Sequence, residues 1–109
     1  MNHEEYIDSV RIKIGRTAQN MMNGTKNYLE GAIEISSLCH EAEVDINSEE
    51  FIVFRGISSE VDHLPIGEAR KLWSKEALEK HEPEIQKSTS WAKETSLEQC
   101  NFLAKKYGT

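Results

Sequence analysis

The sequence predicts an all-α fold: a single compact domain of about five or six helices covering residues 1–109. Three observations carry that prediction. Apolar side chains recur at spacings of three and four along most of the chain, the mark of helices with one buried face. No pair of segments shows the matched two-residue alternation of paired strands. The composition, 38% hydrophobic and 29% charged in 109 residues, suits one globular domain, a size that buries about two-thirds of its unfolded surface.

The elements follow in order. Ile7, Val10, Ile14, Ala18 and Met21 form one helical face beginning near Glu4 and ending at Asn23-Gly24, where glycine favours a left-handed cap. Thr25 is a suitable N-cap for a second helix. Its stripe is Tyr28, Ala32, Ile35, Cys39 and Ala42, widened by Leu29 and Ile33, so it sits centrally in the fold. Asn47 or Ser48 caps a third helix carrying Phe51, Phe54, Ile57, Val61 and Leu64. Phe51-Ile52-Val53-Phe54 alone fits a short buried strand equally well, but nothing elsewhere in the chain would pair with it. Pro65 ends this element. Gly67 opens a helical turn that runs to Trp73, and Ser74 starts a short helix over 75–81. Glu82-Pro83 reads as the cap and first position of the last helix, because proline's missing N–H costs nothing there. Ile85, Trp91, Ala92, Cys100, Leu103, Ala104 and Tyr107 supply its apolar face, with a break expected near Thr95 if Ser96 and Gln99 act as a capping box. There are no repeats, linkers or low-complexity tracts.

Composition excludes several function classes. No apolar run approaches the roughly 20 residues of a membrane span, and Met-Asn-His-Glu-Glu lacks a signal peptide's basic start; a cytoplasmic setting is expected, with no membrane partner. Cys39 and Cys100 lie within apolar patterns and read as buried, reduced thiols. A sequence pI near 5.2 argues against nucleic acid as a direct partner, since affinity for it comes from Lys and Arg. Asp45, Asn47 and Glu49 match the first, third and fifth ligands of a calcium loop, but Glu50 and Gly56 stand where the loop needs glycine and glutamate. His3, His40, His63 and His81 are too scattered for a zinc site, so no metal and no cofactor is expected. His63 beside Glu60 and Asp62 resembles a general base with carboxylate support, but no nucleophile or oxyanion donor accompanies it; no catalytic residue is assigned.

One feature stands out. Residues 30–68 hold ten carboxylates against one base, Arg55, whereas both flanking segments carry a slight excess of bases. A solvated helical face ordinarily intersperses Lys with Glu, and here it does not, unless Arg70, Lys71, Lys75 and Lys80 fold back to neutralise it. A surface of this kind suits a basic protein partner, whose encounter it accelerates and whose competitors it repels. A nuclease is one such partner, because carboxylates at phosphate-like positions occlude its substrate groove. Glu41, Glu43, Asp45, Glu49, Glu50, Glu60 and Asp62 are the candidate contacts.

The run Glu60-Val-Asp62-His-Leu64-Pro65-Ile-Gly67, followed by Arg70 and Trp73, resembles a pattern in small uncharacterised bacterial helical proteins. Leu29-Glu30-Gly31-Ala32, Glu82-Pro83-Glu84-Ile85 and Trp91-Ala92 fit the same pattern. The motif reads as architectural: a helix stop, a turn and a Trp73 that buries the connection, with Arg70 able to pair with Glu60 or Asp62. In size, acidity and helical makeup the chain is also similar to immunity proteins that protect bacteria from contact-dependent or other polymorphic toxins. That likeness implies a non-enzymatic antitoxin occluding a cognate, basic, nuclease-type toxin. The alternatives are a small enzyme with a site near Glu60, Asp62 and His63, or a structural or adaptor domain.

Overall fold

The computed structural model describes residues 2–108. Four α-helices and one 3-10 helix follow in order: α1 (His3–Met22), α2 (Tyr28–Leu38), α3 (Ile52–Glu60), the 3-10 helix Gly67–Leu72, and α4 (Lys75–Tyr107). There is no strand among the described residues, and Ile52, Val53 and Phe54 open α3 instead. The all-α class is as the periodicity predicts.

Local chemistry sets the helix ends, in places differently from expectation. The Asn2 side chain accepts from the Glu5 N–H at 2.8 Å, and Glu4 and Glu5 in the first turn of α1 complement its dipole. After Met22 the chain turns through Gly24 at φ +86°, a conformation glycine takes without strain. Asn27, not Thr25, caps α2: its Oδ1 accepts from the N–H groups of Leu29 and Glu30 at 2.7 and 3.3 Å. Thr25 is committed to the turn before, where its N–H donates to Asn23 Oδ1 at 2.9 Å. Neither Asn47 nor Ser48 caps α3 through its side chain. The Ser48 carbonyl accepts from the Phe51 and Ile52 N–H groups at 3.1 and 2.8 Å, while the Asn47 side chain accepts from the Arg55 guanidinium.

The largest correction concerns α4, a single helix of 33 residues where two or three pieces were expected. Ser74 Oγ accepts from the Ala77 N–H at 3.1 Å, so the helix is already under way before Pro83. Inside a helix proline removes one N–H bond and crowds the carbonyl four residues back, a local cost that this 33-residue helix absorbs at Pro83. Ser96 does not restart the helix either. It is fully buried, and its hydroxyl donates to the Ala92 carbonyl one turn back at 2.6 Å, a bond that satisfies the side chain without ending the helix.

These helices close one core. α1 and α2 are antiparallel: Met21 lies so close to Gly31 that a Cβ there would fall 2.4 Å from the sulfur, and Arg11 Nε donates to the Ala42 carbonyl at 2.9 Å. α1 packs most extensively on α4, α2 packs on α3, and both α2 and α3 reach α4. At 1.5 Å per residue α4 is about 50 Å long, which sets the 47 Å long dimension of the molecule. Its buried stripe is Ile85, Ala92, Ser96, Cys100, Leu103 and Ala104, and within residues 75–84 Ala77, Leu78, His81 and Glu82 are no more than half-buried. Phe51, Phe54, Ile57, Val61 and Leu64 are all buried, as their spacing predicts.

Candidate protein-docking groove

α3 runs antiparallel to the C-terminal half of α4, and three open depressions follow one another along the seam between them, which together form a shallow groove. At one end Ile52 faces Gln99 and Phe102 across a cleft of about 580 Å³ rimmed by Glu49, Glu50 and Glu98. In the middle Val53 and Gly56 face Trp91 and Thr95. At the other end Glu60 and His63 face Glu84, Lys87 and Trp91. The floor is apolar where a soluble helix would ordinarily be polar: Ile52 is 48% exposed, Trp91 41% and Phe102 45%. Trp91, Thr95, Glu98 and Phe102 stand at i, i+4, i+7 and i+11, hence on one face of α4.

Trp91 is therefore not a core residue, as its apolar character suggested. It precedes Ala92 by one position, roughly 100° around the helix, and the buried stripe passes through Ala92. The exposed stripe was available in the spacing from Trp91 to Phe102, but Trp91 draws attention as a large apolar side chain expected inside. Glu84 and Glu98 were also missed, because α4 mixes acids and bases and only the fold shows which of them face α3.

The seven carboxylates predicted as contacts divide. Glu49, Glu50 and Glu60 line the groove. Glu41 and Glu43 lie instead beside the start of α1. There Glu43 Oε2 sits 3.1 Å from His3 Nε2, and the charge of Glu41 pushes the Tyr6 phenol above its usual pKa. Asp45 accepts from the Asn47 N–H at 2.9 Å, which fixes the local turn. Asp62 is exposed just beyond α3.

Bases neutralise part of the acidic segment, at Glu34, Glu50 and Glu68, but not the carboxylates Glu49, Glu60 and Asp62. Lys71 meets Glu68 at 2.9 Å, and Arg70 meets Glu82 at 4.0 Å rather than Glu60 or Asp62. Lys26 meets Glu34 at 2.8 Å, a bond that raises its pKa. Among the described residues of the groove only Glu50 has a lysine partner, Lys106 at 3.4 Å. No cation among the described residues comes within ion-pair distance of Glu49, Glu60, Asp62 or Glu98.

Glu43 has a second distinction. It holds φ +52°, in the left-handed region that glycine favours. The reason is the close of α2: the Val44 N–H returns to the Cys39 carbonyl at 3.1 Å and the Glu43 N–H to the His40 carbonyl at 3.2 Å, a Schellman closure with glutamate in the glycine position. Glu43→Gly is expected to raise stability by about 0.5–1 kcal/mol, the left-handed strain relieved less the added freedom of the unfolded chain. A urea titration measures it.

The chemistry available at the far end of the groove is an ion pair. His63 Nε2 lies 2.9 Å from Glu84 Oε1, and His81 Nδ1 lies 3.6 Å from Glu84 Oε2, with the Trp73 ring edge-on to His81 at 5.2 Å. The carboxylate that His63 meets is thus Glu84, on another helix, rather than its neighbours Glu60 and Asp62. The bond to Glu84 raises the His63 pKa, and the bond to His63 lowers that of Glu84. The raised histidine contributes stability below its ordinary 6.5 and loses it as pH rises through the shifted value. The lowered carboxylate contributes above its ordinary 4.5 and loses it as pH falls. Their link is therefore strongest between pH 4.5 and 6.5. In His63→Gln the stability advantage of that window over pH 8 is expected to shrink, as read by urea midpoints at each pH.

No nucleophile among the described residues is hydrogen-bonded to His63. Burial pushes both free thiols, Cys39 and Cys100, up to about 11, so neither is a thiolate at neutral pH. Among the described residues no group of three or more His, Cys, Asp or Glu is placed to hold a metal ion, and no helix is long and apolar enough to cross a membrane.

Neither the curated proteins nor the solved structures contain a match to this chain. Its sequence does match one family over residues 2–103, nearly its whole length and all of the groove. The chain belongs to the family described as "Protein of unknown function (DUF2489)".

Proposed function

We propose that this chain is a non-catalytic, immunity-type inhibitor that binds a basic protein toxin of nuclease type in the cytoplasm and covers its active groove. One observation carries the reading: the α3–α4 groove combines exposed Ile52, Trp91 and Phe102 with three carboxylates, Glu49, Glu60 and Glu98, that no cation among the described residues meets at ion-pair distance. Aromatic anchors within a charged rim are the usual composition of an affinity-determining protein contact, and uncompensated charge of one sign steers an oppositely charged partner. Carboxylates facing outward serve inhibition without chemistry, since they occupy the positions that substrate phosphates would take. The enzyme reading around Glu60, Asp62 and His63 draws less support, because His63 is engaged by Glu84 on an exposed surface.

The test is co-expression with the product of the adjacent upstream gene, followed by size-exclusion chromatography and a growth assay. A one-to-one complex, with rescue of cells poisoned by that product, is the expected outcome. Absence of both complex and rescue contradicts the proposal.

A further inference from the structure

We infer that the α3–α4 groove takes an amphipathic α-helix of the partner, apolar along one stripe and flanked by Lys or Arg, seated with its backbone against Gly56. This rests on the reading that the groove binds a basic protein, and it names the element bound.

Three observations point to a helix. The exposed anchors Trp91 and Phe102 are eleven positions apart on α4, about 16 Å at 1.5 Å per residue, the length of three helical turns. Carboxylates accompany the apolar residues on both helices, Glu49 and Glu60 on the α3 side and Glu98 between Trp91 and Phe102 on α4. An occupant complementary to that pattern has one apolar stripe with cations on either side, which is a basic amphipathic helix lying in a groove. Extended-peptide recognition by strand addition needs a sheet edge, and the described residues form no sheet.

Gly56 is the third observation. It lies inside α3, where glycine is among the poorest helix formers, and it is exposed. A Cβ built there meets nothing within 4 Å, and its φ is not positive. The isolated fold thus gains nothing from glycine at this position and gives up helix propensity. A notch beside Trp91 and Thr95 is useful if another backbone must come close, because a side chain there would hold it off. A second copy of this chain is a poor occupant, since at net charge −6 it would bring its own acidity to an acidic rim.

The experiment uses two fluorescent 14-residue peptides of one composition, Leu and Lys. One has Leu at helical spacing, and the other is scrambled to remove the stripe. Fluorescence anisotropy compares their binding to the wild-type chain, to Gly56→Leu, and to Leu72→Ala, which alters a side chain 88% exposed outside the groove. The wild-type chain and Leu72→Ala are expected to prefer the amphipathic peptide by at least ten-fold. Gly56→Leu is expected to lose that preference while its melting temperature stays equal or rises. Equal affinity for the two peptides, or a preference that survives Gly56→Leu, overturns the inference. So does wild-type self-association in sedimentation that Gly56→Leu abolishes, which would give the groove to a second copy. The two proposals fail separately: a toxin complex insensitive to Gly56→Leu keeps the inhibitor and removes the helix, whereas helix selectivity without a toxin complex does the reverse.

Discussion

Phe54→Ala is expected to lower the free energy of unfolding by about 3–5 kcal/mol, the range for removing a fully buried phenylalanine. Phe54 is 0% exposed and is among the largest fully buried side chains, with Phe51 and Ile57 on the same stripe of the third helical segment. α3 is short, nine residues without a side-chain cap, so packing and not propensity holds it in place. A loss of that size is a large part of the roughly 5–15 kcal/mol typical of a domain. Urea unfolding followed by circular dichroism reads it directly, and it should appear as a lower midpoint with an unchanged slope. A loss below about 1 kcal/mol would mean that this side chain is not enclosed.

The second large effect is on binding. Glu49→Lys with Glu50→Lys reverses two carboxylates at the Ile52–Phe102 end of the groove, and only Glu50 gives up a bond within the chain, to Lys106. Association with the co-expressed basic partner is expected to slow by about ten-fold to a hundred-fold, with a weaker dependence on salt. Stability should change little, because Glu49 is exposed and the half-buried Glu50 gives up only a surface ion pair. Glu76→Lys with Glu79→Lys, both exposed on α4 outside the groove, provides the control and should leave the rate near that of the wild-type chain. Unchanged kinetics in the groove variant would remove these carboxylates from recognition.

The sequence announced its helices because each core stripe is nearly pure: Val10, Ile14, Ala18 and Met21 in α1, and Phe51, Phe54, Ile57, Val61 and Leu64 across α3 and the turn after it. It was less informative about ends. Thr25, Asn47 and Ser48 are all good capping types, yet none caps a helix through its side chain, because the neighbouring turns bind them otherwise, as at Asn23 and Ser48. Pro83 and Ser96 misled for a related reason. Both are start signals in isolation, and both are absorbed where a helix already has its cap at Ser74 and a core to lie on. The charge concentration between residues 30 and 68 was plain from the outset, but spacing alone does not reveal that the fold divides it among several surfaces, with Glu30, Glu34 and Glu68 on one of them. Glu41 and Glu43 turn toward α1 while Glu49, Glu50 and Glu60 turn toward α4. The groove depends on contacts between segments far apart in sequence, such as Ile52 with Phe102, and no local pattern contains them.

Hydrogen–deuterium exchange of the chain alone and bound to the adjacent-gene product tests the central claim most directly, because it shows where on this surface the partner lies. Slowed exchange confined to residues 49–60 and 91–102 is the predicted result. Protection at the start of α1 and the turn holding Glu41 and Glu43, with the groove exchanging as freely as before, would contradict it.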